Sequence, residues 1–303
     1  MDATIAYLDL LGFGTIASED LPGAIELLDD YQSILNNKIT DARTHPDLMV
    51  TEEKMCADSF DSFFPFSDSI FITSTQPDKF VKQVSHLLLD AFLLNCRFYT
   101  NPDDPANPLR TTIPQFDPSL PADKQPRIEV DKHPVLFKGG ISFGEVLPIT
   151  VHSIVNNEIQ GQINLTGKAL VEAVRLEENK QYKGPRAFAT ESFVQQLSAP
   201  ITQKYIRLVE NNTFELLWPG IIYSDHNDCA MEIREFDELF LSAVNLWRFF
   251  RNQDCGAHYD EFLKLIVRAT LQYFTMRDYR AETEVYLTEK FKAYELDIKI
   301  GDV

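Results

Sequence analysis

The sequence predicts an α+β fold, on two runs of alternating elements and a break between them. Residues 4–8 read as a short buried strand, after which Ala24, Leu27, Leu28, Tyr31, Ile34 and Leu35 recur at helical spacing. "SFDSFFPF" and "SIFITS", joined by Ser67 and Asp68, read as a hairpin with a polar tip. Phe80, Val84, Leu87, Leu88 and Ala91 mark a second amphipathic helix. The alternation resumes at "VLFKGGISFGEVLPI", a strand in which Gly139, Gly140 and Gly144 allow close backbone approach or bulges. "TGKALVEAVRLEENK" then places Leu170, Ala173, Val174 and Glu177 on one helix face, and "RAFAT" is a further strand. Strand, helix, strand, strand, helix, followed by strand, helix, strand, is the order of a split βαβ fold of ferredoxin-like type.

The break is residues 101–134, which hold eight of the sixteen prolines among Asp, Asn and Thr and read as a long loop. Loops of that length are lids, binding arms or solvated insertions, and the sequence leaves these open. Beyond residue 200, "KYIRLVE" and "TFELLWPGIIY" read as strands. Two helical stripes follow, Phe236, Leu239, Phe240, Ala243, Trp247 and Phe250, then Phe262, Leu265, Ile266, Ala269 and Tyr273. The expected division is therefore a domain over 1–200, carrying the proline-rich insertion, and a strand pair with a helical extension over 201–303, packed on that domain or on a second subunit. No internal repeat is visible.

Composition limits the partners. The 303 residues are 44% hydrophobic with 22 Phe, as a folded chain requires. Forty-six acidic against 28 basic residues give a net charge of -18, which repels phosphate backbones and anionic membrane surfaces. Neither nucleic acid nor a membrane is an expected partner. A small anionic substrate requires a place where amides, basic side chains or metal cations reverse the field. The start Met-Asp shows no secretory signal and no run reaches a membrane span, so a cytoplasmic protein is expected. The four cysteines are scattered and read as reduced thiols. "DHND", residues 225–228, reads as a polar turn rather than a metal site.

The stretch "YLDLLGFG" sets Asp9 where the first strand ends, ahead of Gly12, Phe13 and Gly14. Asp68 holds the tip of the hairpin. With the first strand beside that hairpin, the two carboxylates face one site suited to Mg²⁺ or Mn²⁺, hard ions that take oxygen ligands. Backbone N–H groups of the turn from Leu10 to Gly14 can then cradle phosphates. An Asp in a turn is normally just a turn former, so pattern alone favours that reading over the metal one. Gly12-Phe13-Gly14 lacks the third glycine of a dinucleotide fingerprint, and no Gly-Lys-Ser/Thr loop occurs.

Four segments in order, "YLDLLGFG", "PFSDSIFI", "KGGISFGEV" and "GKALVEAVRLE", resemble the motifs of the class III nucleotidyl cyclases across roughly residues 4–190. The resemblance implies that Asp9 and Asp68 are metal ligands for two Mn²⁺ or Mg²⁺ ions, with the Leu10 carbonyl as a further ligand. It implies Phe13 and Gly14 against the substrate, and Arg175 stabilising transition-state charge from the other subunit of a head-to-tail homodimer. Three positions depart from the pattern. Phe64 stands where purine cyclases carry the lysine that reads adenine, Asn164 where they carry its partnering aspartate, and Val171 where a helix asparagine orients the ribose.

Either the site is a catalytically inactive binding module or it reads another base, and retention of the aspartates and the arginine favours the second. Phe64 can fill the room a smaller pyrimidine leaves. The Asn164 amide can pair with uracil or, flipped, with cytosine. The chain thus resembles the pyrimidine cyclases of bacterial Pycsar antiphage defence. That resemblance implies conversion of UTP, or CTP, to the 3′,5′-cyclic nucleotide, and a separate effector protein that binds the product.

Overall fold

A computed structural model describes residues 2–37, 56–96, 99, 110–115, 118–155, 158–223 and 229–303. The first strand, β1 (Asp2–Leu10), is followed by helices α1 (Phe13–Glu19) and α2 (Leu21–Leu35). Strands β2 (Ser62–Phe66) and β3 (Ser69–Ser74) form the expected hairpin, and α3 spans Pro77–Cys96. Then come β6 (Phe137–Glu145), helix α4 (Lys168–Glu177) and β9 (Ala187–Thr190). Between them lie two separate hairpins, β4 (Arg110–Pro114) with β5 (Arg127–Asp131), and β7 (Leu147–Val155) with β8 (Glu158–Thr166). The remainder is α5 (Glu191–Val194), α6 (Ala199–Tyr205), β10 (Ile206–Glu210), β11 (Thr213–Leu216), α7 (Cys229–Phe250), α8 (Gly256–Thr275) and α9 (Arg280–Ala293).

Among the described residues seven strands make one sheet in the order β10-β11-β9-β6-β1-β3-β2. Strand β3 runs antiparallel between β1 and β2, and β1 antiparallel between β3 and β6. Two split βαβ units therefore interleave, with α1–α2 and α3 as crossovers, which is the ferredoxin-like arrangement. Strand β9 then joins β6 in parallel through the crossover helix α4.

Alternation along β1 divides the interior. Ala6, Leu8 and Leu10 enter the large core beneath α2, α3 and the C-terminal helices, whereas Ala3 and Ile5 meet Ala169 and Ala173 of α4 in a smaller core. Helix α4 lies close to the sheet because β6 offers glycine there. A Cβ on Gly140 would stand 1.9 Å from the Ala173 carbonyl oxygen. We expect Gly140→Ala to lift α4 and cost about 1–3 kcal/mol of stability, read as a lower denaturation midpoint.

The C-terminal part continues this same body. Strands β10 and β11 extend the sheet past β9, and Phe236, Phe240 and Phe262 of α7 and α8 share the large core with Phe92 of α3. Phe92 and Phe262 meet edge to face at 4.8 Å. Among the described residues no helix is long and apolar enough to cross a membrane.

Three elements differ from expectation. The 101–134 segment is not loop throughout, because Thr111, Thr112 and Ile113 pair with Ile128 to Val130 in β4–β5; residues 101–109, 116 and 117 lie outside the described residues. β-branched side chains favour extension there despite flanking prolines. The strand expected over "VLFKGGISFGEVLPI" is two, broken at Val146, and the second belongs to the β7–β8 ribbon. In "TFELLWPGIIY" the strand stops at Leu216, and Trp218–Ile222, with Pro219 at its start, is a 3₁₀ turn. The "DHND" turn lies outside the described residues.

Candidate functional site at the end of β1

Asp9 is the penultimate residue of β1 and stands in register with Ser69 of β3 on one side and Lys138 of β6 on the other. The Leu10 N–H donates to the Asp68 carbonyl at 3.0 Å, which stitches the strand end to the hairpin tip. Ser67 turns that tip with a positive φ of 57°. Two carboxylates 59 positions apart in sequence thus converge at one strand end.

The electrostatics follow from this crowding. Partial burial pushes the Asp9 carboxyl up to about 6; the Ser69 hydrogen bond pulls it down, while the Asp68 carboxylate and then Glu177 push it up and Lys138 lowers it. Lys138 is itself engaged in an ion pair with the buried Glu177 of α4. Ser69 Oγ donates to Asp9 Oδ1 at 2.6 Å, Tyr7 Oη lies 3.0 Å from Ser69 Oγ, and Tyr31 Oη donates to the Ser69 carbonyl at 3.0 Å.

Two crowded carboxylates, one resisting ionisation, suit a divalent cation, whose charge would remove the repulsion. Their all-oxygen chemistry fits Mg²⁺ or Mn²⁺ rather than a thiolate-seeking metal. Among the described residues no group of three or more His, Cys, Asp or Glu could hold a metal ion. Backbone carbonyls such as that of Leu10, water and substrate oxygens would have to complete the shell.

Because the folded-state Asp9 carboxyl titrates near 6 rather than at its ordinary 3.8, the folded protein loses stability as pH rises through this window, and above it carries the full cost of an ionised Asp9. Asp9→Asn keeps an acceptor for Ser69 and removes the charge. At pH 7.5 without metal it should raise stability by on the order of 1 kcal/mol, discounted for solvent screening, with the gain vanishing below about pH 4. Thermal unfolding across pH checks this, and Mn²⁺ should raise the wild-type midpoint but not that of Asp9→Asn.

The other expected site residues lie on α1, β2, the β7–β8 ribbon and α4. Gly12, with φ 84°, turns the chain into α1, and its carbonyl accepts the Thr15 and Ile16 N–H groups, both at 3.1 Å. Phe13 opens that helix with its ring against the large core, and Gly14 is exposed beside it. Phe64 is opposite Phe71 on β2, at the rim of the smaller core with Tyr7 and Leu170. Asn164 is exposed on the β7–β8 ribbon, where its Oδ1 accepts the Leu165 N–H at 2.8 Å.

Val171 and Arg175 are exposed on α4. Arg175 lines a groove of about 550 Å³ with Lys168, Glu172, Thr190, Ser192 and Asn212, and none of Asp9, Asp68, Phe64 or Asn164 lines it. One chain therefore brings the two carboxylates together and carries the arginine elsewhere.

Sequence reading missed Ser69, Tyr7, Lys138 and Glu177. Ser69 is adjacent to Asp68, and Tyr7 stands two residues before Asp9 on the same face of β1, so both were readable from spacing. Lys138 and Glu177 reach Asp9 only through strand register and helix packing.

Fold and site together define a ferredoxin-like α+β protein with paired carboxylates at the ends of its central strands. Among solved structures, the chain is similar to the guanylyl cyclase Cya2, at 16% identity over 72% of this chain and 92% of that one, with a TM-score of 0.43. It is also similar to an adenylate cyclase from Trypanosoma brucei in its monomeric state, at 14% identity over 71% and 87%, with a TM-score of 0.41. A bacterial light-regulated adenylyl cyclase gives 16% identity over 79% and 57%, with a TM-score of 0.44. No family model matches the chain, and no curated protein matches it.

Proposed function

We propose that the chain is a homodimeric, Mn²⁺- or Mg²⁺-dependent pyrimidine nucleotide cyclase, converting UTP to 3′,5′-cyclic UMP and pyrophosphate. The observation that carries this reading is the convergence of Asp9 and Asp68 at one strand end, in a chain with Phe64 and Asn164 at the positions expected to meet the base. Asp9, Asp68 and the Leu10 carbonyl would hold the cations. When bound, these supply activation of the ribose 3′-hydroxyl and neutralisation of triphosphate charge.

The chain's own residues have distinct tasks. The backbone at Phe13 and Gly14 lies against the phosphates. Phe64 offers its ring to the base. Asn164 keeps its Nδ2 donor for uracil O4, while the second lone pair of Oδ1 accepts N3–H. Arg175 meets charge that develops on the α-phosphate only in the transition state.

Sharing the site between two copies agrees with the separation of Arg175 from the carboxylates. It also agrees with exposed apolar side chains a partner would cover, including Phe66 at 73% and Ile163 at 63%. A cyclic pyrimidine nucleotide acts through a receptor, so a separate effector protein belongs to this reading, in the manner of antiphage signalling.

The test is direct. Pure protein is incubated with Mn²⁺ and each of ATP, GTP, CTP and UTP, and products are identified by mass. Cyclic UMP as the main product is expected. A dominant purine product removes the pyrimidine assignment, cyclic CMP moves it to the other pyrimidine, and no product from any of the four leaves a binding module.

A further inference from the structure

We infer that Ser69 and Tyr7 form a positioning pair that commits Asp9 to bind its cation through one oxygen, biasing the site toward Mg²⁺ and Mn²⁺ over Ca²⁺. This rests on the cation-binding reading of Asp9 and Asp68, and it assigns work to two residues outside the expected site.

The hydrogen-bond directions are forced. An ionised Asp9 can only accept, so the single Ser69 hydroxyl hydrogen goes to Asp9 Oδ1, at 2.6 Å. The Tyr7 hydroxyl, 3.0 Å from Ser69 Oγ, must then be the donor of that second bond. The Tyr7 ring is stacked on Phe71 with centroids 4.9 Å apart, which holds the hydroxyl in place.

Ser69 is just as constrained. Its backbone pairs with Asp9 across β1 and β3, its carbonyl accepts the Tyr31 hydroxyl, and its side chain is buried. The relay from Tyr7 through Ser69 to Asp9 is therefore anchored at each member. Among the described residues Oδ2 of Asp9 has no hydrogen-bond donor, so it is the oxygen left for a cation.

Monodentate carboxylates suit the near-octahedral shell of Mg²⁺, whereas Ca²⁺, with six to eight ligands, gains most from carboxylates that give both oxygens. A Ser69 donor on Oδ1 works against the second mode. Groups that orient metal ligands in this way typically change affinity by about 10- to 100-fold when removed.

The experiment uses the full chain and the metal alone. Mn²⁺ affinity is measured from the electron paramagnetic resonance signal of the free ion, and Ca²⁺ affinity by competition. Wild type should favour Mn²⁺. Ser69→Ala should weaken Mn²⁺ binding by about tenfold or more and narrow the Mn²⁺ to Ca²⁺ ratio, Tyr7→Phe should move both the same way by less, and Ser69→Thr should restore the ratio.

If Ser69→Ala weakens both ions in parallel, or leaves both unchanged, the ratio stays put and the positioning role is refuted while the cation site stands. Wild-type protein that binds neither ion refutes the pair together with the proposed function.

Discussion

Asp68→Ala and Arg175→Ala are each expected to lose activity by about 10²–10³-fold or more, and an equimolar mixture of the two to recover about a quarter of the wild-type rate. The fraction follows from counting. Random exchange makes half of all dimers mixed, and each mixed dimer has one site with an intact metal pair facing an intact arginine. Asp68 stands at the β2–β3 tip beside Asp9, whereas Arg175 lies on α4 in a groove that neither carboxylate lines. A site built within one subunit would recover nothing on mixing. Product formation after co-incubation, under conditions where labelled subunits are seen to exchange, distinguishes the two outcomes.

The largest stability effect is expected at Glu215, which is fully buried on β11. Its carboxylate accepts from Arg186 Nε at 2.5 Å, lies 3.0 Å from Arg268 Nε on α8, and reaches Arg207 at 3.6 Å. Arg186 and Arg268 are themselves nearly buried and share Glu261 as a second anion. Glu215→Gln keeps the shape but leaves two buried guanidiniums with half their counter-charge, a defect that costs about 3–5 kcal/mol. The denaturant midpoint should fall accordingly. Adding Arg268→Met to Glu215→Gln should cost less than the two single losses summed, because the second change removes a charge the first has stranded. Simple additivity would show that the cluster does not act as a unit.

This cluster explains why the C-terminal 100 residues belong to the same body as the rest. Arg186 precedes β9, Glu215 is on β11 and Arg268 on α8, so one buried network joins the sheet to the extension. Nothing local in "KYIRLVE" or "TFELLWPGIIY" announces it. A Glu among apolar residues on a strand reads as an outward-facing charge until the arginines arrive from elsewhere.

Much of the fold was legible because the amphipathic pattern was strong. Tyr31, Ile34 and Leu35 on α2 and Val84, Leu87 and Leu88 on α3 are buried as their spacing required, and the Ser67-Asp68 tip turns the β2–β3 hairpin. The elements that escaped had weak patterns or lie away from the main sheet. Helix α9 buries only Thr283, Leu287 and Phe291, too few for a continuous stripe, whereas Leu147, Ile149 and Val151 of β7 do alternate but stay exposed on a separate two-stranded ribbon. In β4–β5 the surrounding prolines hid a hairpin held by pairing and by the Arg110–Asp131 ion pair at 3.0 Å.

The same division applies to the site. By itself the sequence determined the kinds of element, the positions of two carboxylates at a strand end and a hairpin tip, and the unusual residues Phe64, Asn164 and Val171, since these depend on local spacing and residue chemistry. Only the tertiary structure decided that Asp9 shares its strand end with Ser69, Lys138 and Glu177, and that Arg175 lines a groove that neither carboxylate lines. Strand register and helix docking arise from backbone hydrogen bonds and packing between distant segments, and a shift of one residue in β3 would carry Ser69 to the opposite face of the sheet.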